Sequence, residues 1–274
     1  MPSRIGFICP THKHDDYTAR AIQTFFKYTP DGYCIVVDDA SPYWTHATQE
    51  RLAALLPQPR GDRGMLIHRF KKWGGLTRSW NHGLKVARQQ GLEYCIAGNN
   101  DILFTEGWQH GLIEALDAGY ALVGPLSNAP GETSKSGAQE IWRYVKDFRL
   151  TDDQRYLDQV AAALRAQYAG MVVGTEVNGF FTMAKTSQWW EGRFDDEHVF
   201  CPRNDFNSKG EKNPTPLMTL NEDELQGRWR ARGWKFAAVA SSFIFHYRAV
   251  TRGKKYCKGR WFRLQSERGE AKHG

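Results

Sequence analysis

Apolar positions in the first 125 residues fall into two alternating rhythms. Runs at 5–10, 33–37, 94–97 and 121–124, with a shorter one opening 65–69, have the length and side-chain type of buried strands. Between them apolar residues recur at helical spacing: Ala19, Ile22, Phe25 and Phe26 share one face, with Asp15 or Asp16 placed to cap the helix. Similar stretches predict helices over 49–56, 76–88 and 106–117. Strand and helix in strict alternation predict a parallel sheet.

The fourth run ends abruptly in Asn99-Asn100-Asp101. Ligands of open α/β sheets sit outside the carboxyl ends of the strands. Asp101 and Asn99, two residues apart, point to one side of an extended backbone. Hard oxygens so placed suit Mg2+ or Mn2+, with substrate phosphates as further ligands. A polar turn closing the strand would use the same residue types.

Beyond residue 125 the pattern loosens. Gly131, Glu132, Ser134, Lys135, Ser136 and Gly137 read as a mobile loop within 126–150. Thr151-Asp152-Asp153-Gln154 has the form of a capping box opening a helix with Leu157, Val160, Ala161, Leu164 and Tyr168 on one stripe. That helix, about 151–169, reads as an insertion. A strand is expected over 177–184, a polar loop over 201–216, and strands over 234–240 and 242–245, the last ending at His246. Asn221 with Glu224 forms a second capping signature, which puts Glu222 and Asp223 in the first turn of a helix, where its dipole keeps them ionised. The expected layout is one large domain: a nucleotide-binding half over 1–125, a second half over 126–246, and a tail over 247–274.

Composition narrows the class. With 274 residues, 41% hydrophobic and 24% charged, the chain can bury a substantial core. No apolar run is long enough to span a bilayer, and the amino terminus lacks a signal-peptide layout, so a cytoplasmic protein is expected. Five scattered cysteines without C-x-x-C spacing speak against a disulfide framework or a zinc site. The net charge of +7 is concentrated at the end: nine Lys or Arg against two acids over 247–274. Such a segment, with aromatics interleaved, suits a phosphate-rich partner: a nucleotide diphosphate, a nucleic acid or an anionic membrane. G-x-G-x-x-G after the first strand, G-x-x-x-x-G-K-[ST], G-x-S-x-G and H-E-x-x-H are all missing, which counts against dinucleotide-binding dehydrogenases, P-loop enzymes, α/β-hydrolases and zinc proteases.

Six short pieces in order complete the picture: Ile8-Cys9-Pro10-Thr11, Val36-Val37-Asp38-Asp39-Ala40-Ser41, Gly75 with Asn81-His82-Gly83-Leu84, Asn99-Asn100-Asp101, Gly192-Arg193-Phe194-Asp195, and Glu222-Asp223, closed by His246. From about residue 4 to 248 the chain resembles the family 2 glycosyltransferases, inverting enzymes that use nucleotide-sugar donors. Its N-x-D triplet looks like that of rhamnosyltransferase-like members. The resemblance implies the GT-A fold, a mostly parallel sheet with helices on both faces, and a hexosyl- or pentosyltransferase assisted by Mn2+ or Mg2+.

It implies further that Pro10, Thr11, Asp38, Asp39, Asn81, Asn99, Asn100 and Arg248 bind the nucleotide sugar, and that Asp101 and His246 hold the metal. Asp223 is the implied general base, with Glu222 as its nearest rival, and Phe180, Asp195 and Trp189 face the acceptor. The acceptor is left open between a saccharide, a lipid-linked sugar at the inner membrane face, and hydroxymethylated bases of DNA. A nucleotidyltransferase would carry a Gly-rich basic segment after the first strand, which Pro10-Thr11-His12-Lys13 is not. A non-catalytic sugar-nucleotide or nucleic-acid binder is the other alternative.

Overall fold

A computed structural model describes residues 5–56, 64–131, 136–202 and 221–247. The alternating rhythm of the first 125 residues becomes β1 (Ile5–Thr11), α1 (Asp15–Tyr28), β2 (Tyr33–Asp38), α2 (His46–Ala53), β3 (Gly64–Arg69), α3 (Leu76–Gln89) and β4 (Tyr94–Gly98). Then come β5 (Ile102–Phe104), α4 (His110–Asp117) and β6 (Leu122–Leu126). The rest supplies α5 (Gln154–Tyr168), β7 (Val172–Gly174), β8 (Phe181–Lys185), α6 (Thr186–Glu191), α7 (Asn221–Arg230) and β9 (Phe236–His246).

The strands form one sheet in the order β3-β2-β1-β4-β8-β6-β9-β5, with β7 also on β9. It is parallel through β3, β2, β1 and β4, as the alternation predicts. Beyond β4 it is mixed: β8 runs antiparallel to β4 and β6, β6 and β9 are parallel, and β5 and β7 are antiparallel to β9. Period-2 alternation divides each central strand between two cores. Phe7, Cys9, Cys34, Val36 and Ile96 meet α1, α2 and α4, while Ile8, Ile35, Val37, Cys95 and Ala97 meet α3, α6 and α7. A third cluster packs Leu157, Val160, Ala161 and Leu164 of α5 against Leu103, Phe243 and Phe245.

Several boundaries differ from expectation. The N-cap of α1 is His14 in the left-handed region, without a side-chain cap bond; Asp15 and Asp16 lie in the first turn and pair with Arg51. Asp153 alone caps α5 by accepting the Tyr156 N–H, and Gln154 instead donates to the Phe104 carbonyl and to Asp158, so the box does not form. Two strands expected over 234–245 are one, β9. Strand β8 starts only at Phe181, because residues 177–180 are held as a turn by side chains of α7. Part of the expected loop within 126–150 is ordered as 3-10 turns at Ser136–Gln139 and Ile141–Arg143, with Gln139 fully buried. Residues 132–135, nearly all of the 201–216 loop and the 248–274 tail lie outside the described residues. Among the described residues no helix is long and apolar enough to cross a membrane.

Candidate active site

Strand β4 stops at Gly98, and Asn99-Asn100-Asp101 bridges to β5, which pairs antiparallel with β9. That register sets Ile102 opposite His246 and lets the Tyr247 N–H donate to the Asp101 carbonyl at 2.8 Å. His246 Nε2 consequently lies 3.3 Å from Asp101 Oδ1 and 3.3 Å from Asn99 Nδ2. Its Nδ1 is 2.7 Å from the Ala129 carbonyl, an acceptor only, so Nδ1 carries the proton. In the neutral ring Nε2 then turns a lone pair toward Asn99 and Asp101. Phe180 stacks on the imidazole at 5.1 Å, and Asn128 clamps the His246 backbone, accepting its N–H at 2.8 Å and donating to its carbonyl at 3.0 Å. Asp101 and His246 are both nearly inaccessible. Burial, and after it the charge of Asp101, raises the Cys9 thiol pKa behind the site.

These residues fit a divalent cation. Two ligands held cis at about 2.1 Å from Mg2+ stand roughly 3.0 Å apart, close to the observed 3.3 Å. An imidazole fixed by a carbonyl on its other nitrogen has the preparation metal-binding histidines show. Among the described residues no group of three His, Cys, Asp or Glu is assembled, so oxygens from outside the protein would complete the coordination sphere.

At the end of β2 both aspartates are engaged within the chain. Asp38 is fully buried, accepts the Ser41 N–H at 3.1 Å and meets Arg69 Nε at 3.1 Å. Burial raises its pKa, opposed by Ser41 and Arg69. It closes the turn in which Ala40 takes φ 56°. Asp39 accepts from the Gly74 and Gly75 N–H groups and from Arg78. His12 Nδ1 lies 2.8 Å from the Asp39 carbonyl, which ties the β1 and β2 ends together.

The first turn of α7 borders the same region through residues 177–180. Gln226 pairs with both backbone groups of Val177, at 2.7 and 2.9 Å, in the manner of a neighbouring strand. Glu222 Oε1 accepts the Gly179 N–H at 3.1 Å, and the next carbonyl, that of Phe180, accepts the Asn99 N–H at 2.9 Å. Asp223 is half-buried and has no hydrogen-bond or ion-pair partner among the described residues. Asn221 is the first residue of α7, fully buried, and its amide makes no hydrogen bond among the described residues, so the expected cap is not formed.

The other residues expected at the site are engaged within the chain or lie outside the described residues. Trp189 is fully buried against Phe200 and Trp229 with its Nε1–H on the Cys95 carbonyl; it is core and cannot stack on an acceptor. Asn81 staples the segment before the 203–220 stretch, accepting from Val199 and Phe200 and donating to the Phe200 carbonyl. Asn100 donates to Thr18 and Thr11, locking α1 to the sheet. Pro10 and Thr11 are buried in β1, in register with Val37 and Asp38. Asp195 closes a turn through the Glu197 and His198 N–H groups and the His198 ring. Arg248 lies outside the described residues. Sequence reasoning missed Arg78, Asn128 and the Ala129 carbonyl. The Gly-Gly before α3 was a signal for the first, since Gly74 leaves the room that Arg78 fills; the other two carry none.

A family model described as Glycosyl transferase family 2 matches residues 7–169, more than half of the chain. No curated protein matches the sequence. Solved structures with a similar fold include the mannosyltransferase PcManGT from Pyrobaculum calidifontis in complex with GDP-Man and Mn2+, at 13% identity and TM-score 0.53, covering 90% of this chain and 57% of that one. Residues 1–349 of S. aureus TarS align at 13% identity and TM-score 0.51, over 89% of this chain and 60% of that one. The longer TarS chain is covered to 36% at the same score and identity. The chain thus spans less than two thirds of each of these neighbours, and the likeness is one of fold.

Proposed function

The chain belongs to glycosyl transferase family 2 and has the GT-A fold, and from that premise we propose that it moves a sugar from a nucleoside-diphosphate sugar to a hydroxyl acceptor with inversion, assisted by Mn2+ or Mg2+. The observation that carries the reading is the meeting of Asp101 Oδ1 and His246 Nε2 at the carboxyl end of β4. A cation held there would neutralise the charge that develops on the departing diphosphate. The Ala129 carbonyl fixes the tautomer that turns the Nε2 lone pair toward Asn99 and Asp101, the two ends of an N-x-D triplet like that of rhamnosyltransferase-like members.

Asp223 takes the proton from the acceptor hydroxyl as that oxygen bonds to the anomeric carbon and the bond to the diphosphate breaks. It stands in the first turn of α7, at the positive end of the helix dipole. Glu222 is the poorer base because one of its oxygens already serves the Gly179 N–H. Phe180, stacked on His246, is assigned to the acceptor side, and the basic 247–274 segment to an anionic surface such as the cytoplasmic membrane face.

Thermal shift with UDP, dTDP, GDP, CDP and ADP, each with and without Mn2+, tests the reading. At least one should raise the melting temperature only with Mn2+, and Asp101→Asn should abolish that rise. A protein that responds to none of them, with or without the metal, overturns it.

A further inference from the structure

Residues 177–180 form a turn whose backbone is spent on side chains from other elements. The Val177 N–H and carbonyl pair with Gln226 of α7 at 2.7 and 2.9 Å. The Asn178 N–H donates to Gln139 Oε1 at 2.8 Å, and the Gly179 N–H to Glu222 Oε1 at 3.1 Å. Gln139 and Gln226 are fully buried. A Cβ at Gly179 would come within 2.6 Å of the Glu222 carboxylate, so glycine is a condition of that contact. The Phe180 carbonyl accepts the Asn99 N–H at 2.9 Å and ties the turn to the end of β4. Three successive N–H groups are thus held in place by side chains alone.

The carboxamide of Asn178 is the polar group of this turn that stays unspent. It makes no hydrogen bond among the described residues, and the residue is partly exposed. Its place is set by a contact. Gly131, with φ 148°, leaves the space it takes, since a Cβ there would come within 2.2 Å of Asn178 Nδ2. The two segments that meet in this contact both reach His246, one through the Ala129 carbonyl and the other through the stacked Phe180 ring. On its other side Asn178 is followed by Gly179, which Glu222 holds, and Asp223 is the next residue of α7. The carboxamide therefore stands between the flank of the Asp101–His246 pair and the helical turn that carries Asp223.

We infer that Asn178 binds a hydroxyl of the sugar being transferred and selects donors that carry that hydroxyl over their deoxy counterparts. The inference rests on the reading of the donor as a nucleoside-diphosphate sugar, and of Asp223 as the base. In that reaction the sugar lies between the metal-held diphosphate and the acceptor oxygen that Asp223 deprotonates. A carboxamide presents two N–H donors and a carbonyl acceptor. It can donate to a hydroxyl oxygen and accept from a hydroxyl hydrogen, which few other neutral groups match. A donor lacking the hydroxyl leaves the desolvated amide unpaired, and sites built to bind an OH reject analogues on that ground. With its backbone and both neighbours already fixed, Asn178 has little freedom left to lose on binding.

Calorimetric titration of the Mn2+-loaded protein with UDP-glucose, GDP-mannose and dTDP-rhamnose, and with UDP, GDP and dTDP, tests this in the absence of acceptor. Asn178→Ala should weaken the sugar nucleotide that binds by about three- to tenfold and leave its diphosphate unchanged. The melting temperature should not fall, because the side chain bonds nothing in the fold. Among monodeoxy forms of that sugar nucleotide, one should lose the same factor in the wild type and nothing further in Asn178→Ala. Should Asn178→Ala not fold, Asn178→Asp, which keeps the shape and loses both donors, reads the same difference. Equal losses toward the sugar nucleotide and its diphosphate, or unchanged affinity for both, would overturn the inference and leave the donor reading standing. A wild type that binds diphosphates and no sugar nucleotide would do the same. A wild type that binds none of the six removes the donor reading, and this inference with it.

Discussion

His246 Nε2 stands 3.3 Å from Asp101 Oδ1, so the last residue of β9 completes a site that the end of β4 begins. The approach is fixed by strand register: Ile102 of β5 pairs with His246, which brings the residue before Ile102 beside the imidazole. A one-residue slip of that pair would turn His246 to the opposite face of the sheet.

His246→Ala should weaken Mn2+ binding at least tenfold, an order-of-magnitude estimate from the cost of disturbing such ligands. The β5–β9 ladder uses backbone groups and remains, so the protein stays folded. Asn128→Ala should cost about tenfold as well, because it removes both bonds that hold the His246 backbone. Electron paramagnetic resonance of free Mn2+ reads both without turnover, and undiminished affinity in His246→Ala would take the imidazole out of the site.

Asp223→Asn should lower turnover by about 10²–10⁴ with donor affinity unchanged, the range for a lost general base. Glu222→Ala has a different signature. It strips the acceptor from the buried Gly179 N–H, so stability should fall by about 1–3 kcal/mol. Chemical denaturation beside steady-state kinetics separates the two, and a stability loss confined to Asp223→Asn would reverse the assignment.

Much of this was legible in the sequence because it rests on local patterns. Alternation of apolar runs and helical stripes gave β1 to β4 with α1 and α3, and chain order gave the site's place after β4. Side-chain destinations were less legible. Asn81, Asp38 and Trp189 have residue types that serve ligands and frameworks equally well, and only tertiary contacts decide between them. Asn81 binds a segment more than a hundred residues away, and Trp189 reaches across the sheet to Cys95. The turn at 177–180 looked like strand because its apolar residues are buried, yet its backbone is satisfied by Gln226 and Glu222 rather than by a neighbouring strand.

Trp189 provides a direct check of that division. As a core residue packed on Phe200 and Trp229, its change to Ala should cost about 3–5 kcal/mol. Affinity for nucleotide in the remaining folded protein should not change. Urea unfolding followed by calorimetry at a temperature where the variant is folded makes the comparison, and a near-neutral stability effect would place the indole nearer the surface than its burial indicates.

The last prediction concerns pH. His82 on α3 lies against His68 at 3.9 Å between ring centroids, and its Nε2 is buried without a hydrogen-bond partner. Burial, followed by the charges of His68, Lys85 and Arg78, lowers its pKa from 6.5 to about 4. The unfolded chain therefore takes up this proton at a higher pH than the folded one does. Linkage then makes stability rise with pH between the two values. The contribution is complete above 6.5 and is lost progressively as the pH falls toward 4. His82→Phe removes the titration while keeping a ring against His68. Between pH 7 and 4.5 the melting temperature of this variant should fall less than that of the wild type, measured at constant ionic strength. Equal slopes would mean that acid loosens the protein at groups other than His82.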